Sequence, residues 1–227
     1  MDDFAPKGEA GRLYGQTRVR VSELVGNADG DAPVPACPEW TVKDVLAHLS
    51  GVCADILGGR LDGVATDPWT ARQVGERRDW SVEKILAEWS TNAPQCEELS
   101  QHFPNGADIQ WMSDCITHEH DIRGALGKPG ARDFHGIKLG LRWLVAALAS
   151  DIPTAFTITT DEGDELVCGS GEIAGGVRAP RFEMVRALTG RRSRDQIAGF
   201  DWNADCEQFL PAFSRGPFTL AAQAITE

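Results

Sequence analysis

One run of residues constrains this chain more than any other: Asp114-Cys115-Ile116-Thr117-His118-Glu119-His120-Asp121. Apolar residues at Ile109, Met112, Ile116, Ile122 and Leu126 recur at helical spacing and place the run inside a helix over 107–126. At about 100° per residue, with Asp114 as zero, His118 falls at ~40° and Asp121 at about −20°. His120 points away at about 240°, and Cys115 at ~100°. A carboxylate and an imidazole at i, i+4 hold one metal ion when another helix brings a third ligand. The candidate for that ligand is His48, in Val45-Leu46-Ala47-His48-Leu49. The expectation is a helical bundle with a metal inside it.

The rest of the N-terminal sequence supplies the other helices. Leu13, Thr17, Val21, Leu24 and Val25 form a 3.6-residue stripe over 8–25. A second helix starts at Thr41, whose capping-box partner is Asp44; Trp40 and Val45 stand at the positions of a hydrophobic staple. Its apolar face includes Val42, Val45, Leu49, Val52 and Ile56, with His48 among them, and Gly58-Gly59 ends it. A long connection is expected up to Asp79. The same pattern then recurs 40 residues on: Trp80-Ser81-Val82-Glu83-Lys84-Ile85-Leu86-Ala87-Glu88 echoes Trp40 to His48. It reads as the same staple and cap used twice, or as a trace of duplication. Glu88 takes the place of His48 and is an inward-facing acid, on a helix running to about His102. A further helix covers 136–149.

After Asp151-Ile152-Pro153 the pattern changes. Ala155 to Thr160 alternates with period two, Asp161-Glu162-Gly163-Asp164 is turn chemistry, and 165–169 is the return strand. Residues 173–177 add a short strand. Residues 181–189 read as a helix, with Pro180 at its first turn and Gly190 at its C-cap. The fold class is α+β, mainly α, with a helical bundle at 1–152 and a smaller α+β domain at 153–227.

Bulk properties narrow the function classes. With 42% hydrophobic and 25% charged residues the composition is that of an ordinary globular protein. A net charge of −12 argues against nucleic-acid binding, which needs a basic surface. No apolar run approaches a membrane span, and Met1-Asp2-Asp3-Phe4 opens no signal peptide, so the expected location is cytoplasmic. Cysteines at 37, 53, 96, 115, 168 and 206 show no disulfide or zinc-knuckle spacing and read as reduced, partly buried thiols.

Two histidines and a carboxylate are a common catalytic zinc set with the fourth position open to water or a thiol. A metal-bound thiol loses its proton near neutral pH. Asp121 on the same stripe is placed to orient an imidazole. The alternative is an ordinary hydrogen-bonded His–Asp pair between helices, because an i, i+4 pair is far less specific than H-E-x-x-H.

At these residues the chain resembles a known family. Trp40-Thr41-Val42-Lys43-Asp44-Val45-Leu46-Ala47-His48-Leu49, His118-Glu119-His120-Asp121-Ile122-Arg123-Gly124-Ala125-Leu126-Gly127, Trp69-Thr70-Ala71-Arg72-Gln73-Val74 and Leu188-Thr189-Gly190-Arg191-Arg192 are similar to motifs of the mycothiol-dependent maleylpyruvate isomerases. These lie within the DinB-like four-helix-bundle superfamily. The resemblance implies a DinB-like bundle holding a divalent metal, usually zinc, on His48, Asp114 and His118. The family pattern has Glu where this chain has Asp114, a side chain shorter by roughly 1.5 Å of reach.

It further implies mycothiol as co-substrate, its thiolate adding to the cis double bond of maleylpyruvate and leaving after bond rotation. Transfer of the thiol to another electrophile is an equal expectation. Arg191 is the candidate catalytic contact to a substrate carboxylate, against a surface or helix-end arginine in a salt bridge. Arg72 and Arg123 read as structural ion pairs. The competing function is a non-catalytic metal- or ligand-binding or regulatory protein on the same scaffold, as a monomer or homodimer.

Overall fold

The computed structural model describes residues 5–26, 28–148, 152–216 and 218–227. The first four residues, the expected helix end at Ala149, and Asp151, where the sequence pattern changes, lie outside them. The chain divides into two compact units, Met1–Gly130 with Glu227, and Ala131–Thr226. The helix at 135–148 belongs to the second unit, so this division falls 22 residues (152 − 130) before the boundary expected at Pro153.

The first unit is a bundle of α1 (Glu9–Val25), α2 (Val42–Gly58), α4 (Val82–Leu99) and α5 (Ala107–Ala125). Helix α2 packs on α4 and α5, and α1 on α4 and α5. The start of α2 is as the sequence predicts: Thr41 accepts from the Asp44 amide, and Asp44 accepts in return from the Thr41 amide. Tyr14 ties the centre together. It stacks on Trp111 at 3.6 Å, accepts from Trp89 Nε1 at 2.9 Å and meets Cys53 Sγ at 3.2 Å.

The expected connection after α2 is interrupted by a helix, α3 (Asp67–Glu76), with Pro68 in its first turn. Its buried side chains are Trp69 and Gln73, one turn apart, and they face α2. The approach is close because residue 51 is glycine: a Cβ there would stand 2.6 Å from Gln73 Cβ and 3.0 Å from Arg77 Nη1.

The second unit holds α6 (His135–Leu148), strands β1 (Ala155–Thr160), β2 (Glu165–Cys168), β3 (Ile173–Ala179) and β4 (Asp201–Trp202), and helices α7 (Arg181–Leu188) and α8 (Arg194–Ala198). Strand order is β2-β1-β3-β4. β1 and β2 form the expected antiparallel hairpin, whereas β3 runs parallel to β1. Phe156, Phe209, Phe213 and Trp202 cluster at ring separations of 5.0–6.2 Å. Helix α6 packs on α7 and β2.

Asp164 couples the hairpin turn to α7. It accepts from Arg181 Nε at 2.5 Å and from Thr160 Oγ1 at 2.7 Å. Burial pushes its carboxyl up, but Arg181 and Thr160 together outweigh it and hold the carboxyl below the usual range. A depressed carboxylate adds stability above its unfolded pKa, and that stability disappears as pH falls through the folded value. Urea midpoints measured from about pH 6 down to about pH 2 are therefore expected to fall less steeply in Asp164→Asn than in the wild type. Parallel acid limbs would contradict this.

All six cysteines are free thiols. Burial lifts the Cys115 thiol well above its usual range, with Asp114 and Glu119 adding to the effect, and lifts Cys168 to about 11. A thiol reagent on the native protein is expected to modify half-buried Cys37 and Cys206 first and to leave Cys115 and Cys168 intact. Peptide mapping after brief labelling checks this.

Candidate metal centre

Helix α5 is buried from Cys115 through Ile122, around its whole circumference. Every polar group there needs a partner, and the partners define the site. The capped start of α2 sets His48 opposite α5, where His48 Nε2 lies 3.2 Å from Asp114 Oδ2. One turn on, His118 Nε2 lies 3.6 Å from Asp114 Oδ1. The two imidazoles are 5.1 Å apart and nearly perpendicular. Bonds of about 2.0–2.1 Å at a tetrahedral centre separate two donors by roughly 3.3 Å, so the spacing fits a first-row divalent ion. The shorter Asp114 side chain still reaches both histidines. It is also the open member of the group, 39% exposed, while both imidazoles are buried.

The far nitrogens of both rings are held. His48 Nδ1 is 2.8 Å from Gln73 Oε1, and Gln73 Nε2 donates to Asp55 Oδ2 at 2.7 Å. Asp55 is a carboxylate paired with Arg60 and Arg72 at 2.8 Å, so it accepts only. That fixes the amide of Gln73, which in turn makes His48 Nδ1 the donor to Gln73 and leaves Nε2 as the nitrogen turned toward Asp114. His118 Nδ1 is 2.9 Å from buried Asp121 Oδ2, with the same consequence. Trp40 stacks on His118 at 5.8 Å and lies 5.5 Å from His48, and Trp69 meets His48 edge-on at 6.4 Å. The donors therefore sit against an apolar wall.

The structure thus brings His48, Asp114, His118 and Asp121 together. His120 is buried but belongs to neither group of converging donors among the described residues. Cys115 is likewise outside them. Glu88 faces inward but is taken up by Arg77 at 2.5 and 2.9 Å and by Ser50 at 2.5 Å. Arg72 pairs with Asp55, and Arg123 with Glu119 at 2.9 Å.

Arg191 lies in the second unit, where the Thr189-Gly190-Arg191 motif ends α7. Gly190 is left-handed at φ 77°, its amide bonds Ala187 O, and the Arg191 amide bonds Arg186 O at 2.8 Å, a Schellman stop. The Arg191 guanidinium donates to Thr189 O at 2.6 Å.

Sequence reasoning missed Gln73, Asp55 and Cys37. Cys37 donates toward Asp121 Oδ2 at 3.5 Å and forms a second donor group with His118 and Asp121. The signal for Gln73 was its place in the Trp69–Val74 motif; Cys37 sits in a loop with no periodicity to announce it.

The first unit is thus a four-helix bundle whose inward His–carboxylate–His set, oriented from behind, is a candidate metal centre. Residues 14–123 match the family described as the mycothiol maleylpyruvate isomerase N-terminal domain. The chain is also similar to a crystal structure of the mycothiol-dependent maleylpyruvate isomerase. The TM-score is 0.62 at 12% identity, over 89% of this chain and 96% of that one. A histidine-to-alanine mutant of that enzyme matches with the same score and coverage at 11% identity. At this identity the likeness establishes the fold. No curated protein matches the chain.

Proposed function

We propose that this chain is a metal-dependent, mycothiol-using enzyme of small-molecule chemistry, in which a thiolate adds to an electrophile. The reaction is either maleylpyruvate-type cis–trans isomerisation or thiol transfer. The carrying observation is the convergence of His48 Nε2, His118 Nε2 and Asp114, with both imidazoles oriented by acceptors behind them. The match of residues 14–123 to the mycothiol maleylpyruvate isomerase N-terminal domain supports the reading.

His48, Asp114 and His118 would hold zinc or a related divalent ion. Bound there, it would supply a Lewis acid that keeps a small thiol ionised near neutral pH. The chain's own residues do the rest. Asp121 and Gln73 hold the imidazoles in one tautomer and one orientation. Trp40 and Trp69 keep water from the ring faces. Half-exposed Asp114 marks the side from which a thiol and its electrophile enter. Arg191 is the proposed contact for a substrate carboxylate; Arg191→Ala then raises KM for a dicarboxylate more than for an uncharged electrophile.

No helix among the described residues is long and apolar enough to cross a membrane. Isomerisation returns the thiol, whereas transfer consumes it. Incubation with mycothiol and a panel of electrophiles, with free thiol and product both quantified, therefore tests the function and separates its two forms. Product formed at equal rate without any thiol would overturn it.

A further inference from the structure

Behind the His48–Asp114–His118 centre the fold assembles a second donor set of different chemical character. Cys37 Sγ is 3.5 Å from Asp121 Oδ2, which is 2.9 Å from His118 Nδ1, and one donor atom from each residue lies within 4.8 Å of the others. Cys37 is firmly placed. Its amide bonds Val34 O at 2.9 Å, its carbonyl accepts from the Trp40 amide at 2.8 Å, and the Val34 amide bonds Trp40 O at 2.9 Å. The turn is thus tied to the start of α2, and Trp40 stacks on His118. Bonds of about 2.3 Å to sulfur and about 2.0 Å to oxygen at a tetrahedral angle separate the two donors by roughly 3.5 Å.

We propose that Cys37, Asp121 and the Nδ1 side of His118 form a second metal position, which takes a thiophilic divalent ion. The first set offers only nitrogen and oxygen, whereas a thiolate shifts preference toward softer ions. As the sulfur–metal bond forms, the thiol proton leaves to solvent. A neutral imidazole has one lone-pair nitrogen. An ion at Nδ1 therefore moves the His118 proton to Nε2 and withdraws this ring from the first position, so the two positions are alternatives sharing one histidine. This inference does not rest on the proposed function, since neither His48 nor Asp114 takes part.

The test is a titration of cobalt(II) or cadmium into the full chain after chelator treatment, read by sulfur-to-metal charge-transfer absorption. The first position contains no sulfur and gives no such band. The band is expected in the wild type, from the first additions in His48→Ala, and unchanged in Cys206→Ser, the other half-buried thiol. It is expected to vanish in Cys37→Ser, a near-isosteric change at a half-buried residue. No band in the wild type or in His48→Ala overturns the proposal, as does a band that survives Cys37→Ser or is lost in Cys206→Ser. Loss of zinc from His48→Ala with the band retained supports both positions, so the two readings fail separately.

Discussion

Replacing Glu119 with alanine is expected to destabilise the bundle by about 3–5 kcal/mol, the range for breaking one side of a buried ion pair. Glu119 is fully buried. Arg20 approaches it from α1 with Nε at 2.8 Å and Nη2 at 2.5 Å, and Arg123 with Nε at 3.0 Å and Nη2 at 2.9 Å. Truncation leaves two guanidiniums, neither well solvated, without their counter-charge, and opens a void beside α1. Glu119→Gln keeps the shape and some acceptor capacity, so its loss should be smaller. At about 2–4 °C per kcal/mol for a chain of this size, the alanine variant should melt roughly 6–20 °C lower. Denaturant and thermal unfolding check this. A loss below about 1 kcal/mol would place the pair among exposed ones and contradict its role in joining α1 to α5. Because Glu119 is turned away from Asp114, the folded variant should still bind metal.

The second large effect concerns the centre itself. His118→Ala, which removes the ring common to both donor sets, is expected to lose all bound metal, and His48→Ala to lose the ion of the His48–Asp114–His118 centre, while His120→Ala keeps it. Two protein ligands do not hold an ion that three hold, and removal of either imidazole leaves Asp114 with one partner. Gln73→Leu should weaken metal binding by about 10–100-fold without emptying the site, because it frees the His48 tautomer while leaving the donor in place. Asp114→Glu should preserve or strengthen binding, since the half-exposed position has room for a longer carboxylate. Elemental mass spectrometry of the purified variants decides these outcomes. Equal metal in the three histidine variants would sink the ligand assignment, and an empty site in Asp114→Glu would contradict the inferred geometry around α5.

The parts of this architecture readable from sequence are those set by local geometry. The stripe of Asp114, His118 and Asp121 follows from i, i+4 and i+3 spacing on one helix, and the capping box at Thr41 and Asp44 from a four-residue pattern. The period-two run at 155–160 gave the first hairpin. Each of these needs only neighbours in the chain. What escaped depends on contacts across the chain. Helix α5 is buried all round, so its charged residues carry no amphipathic signal; Glu119 finds Arg20 at a separation of 99 residues and Cys37 finds Asp121 at 84. Helix α3 is ten residues long and buries only Trp69 and Gln73, too sparse a stripe for periodicity to detect. Its start at Thr66-Asp67-Pro68 was the one local cue. The parallel pairing of β1 and β3 and the two-residue β4 likewise depend on the sheet rather than on the strands themselves.

The most direct measurement is the rate of maleylpyruvate conversion with mycothiol by the wild-type protein as purified, after chelator treatment, and after zinc is restored. The account predicts turnover that requires mycothiol, falls away on chelation and returns with zinc. Conversion that proceeds equally in all three samples, or no conversion and no thiol transfer in any of them, would contradict it.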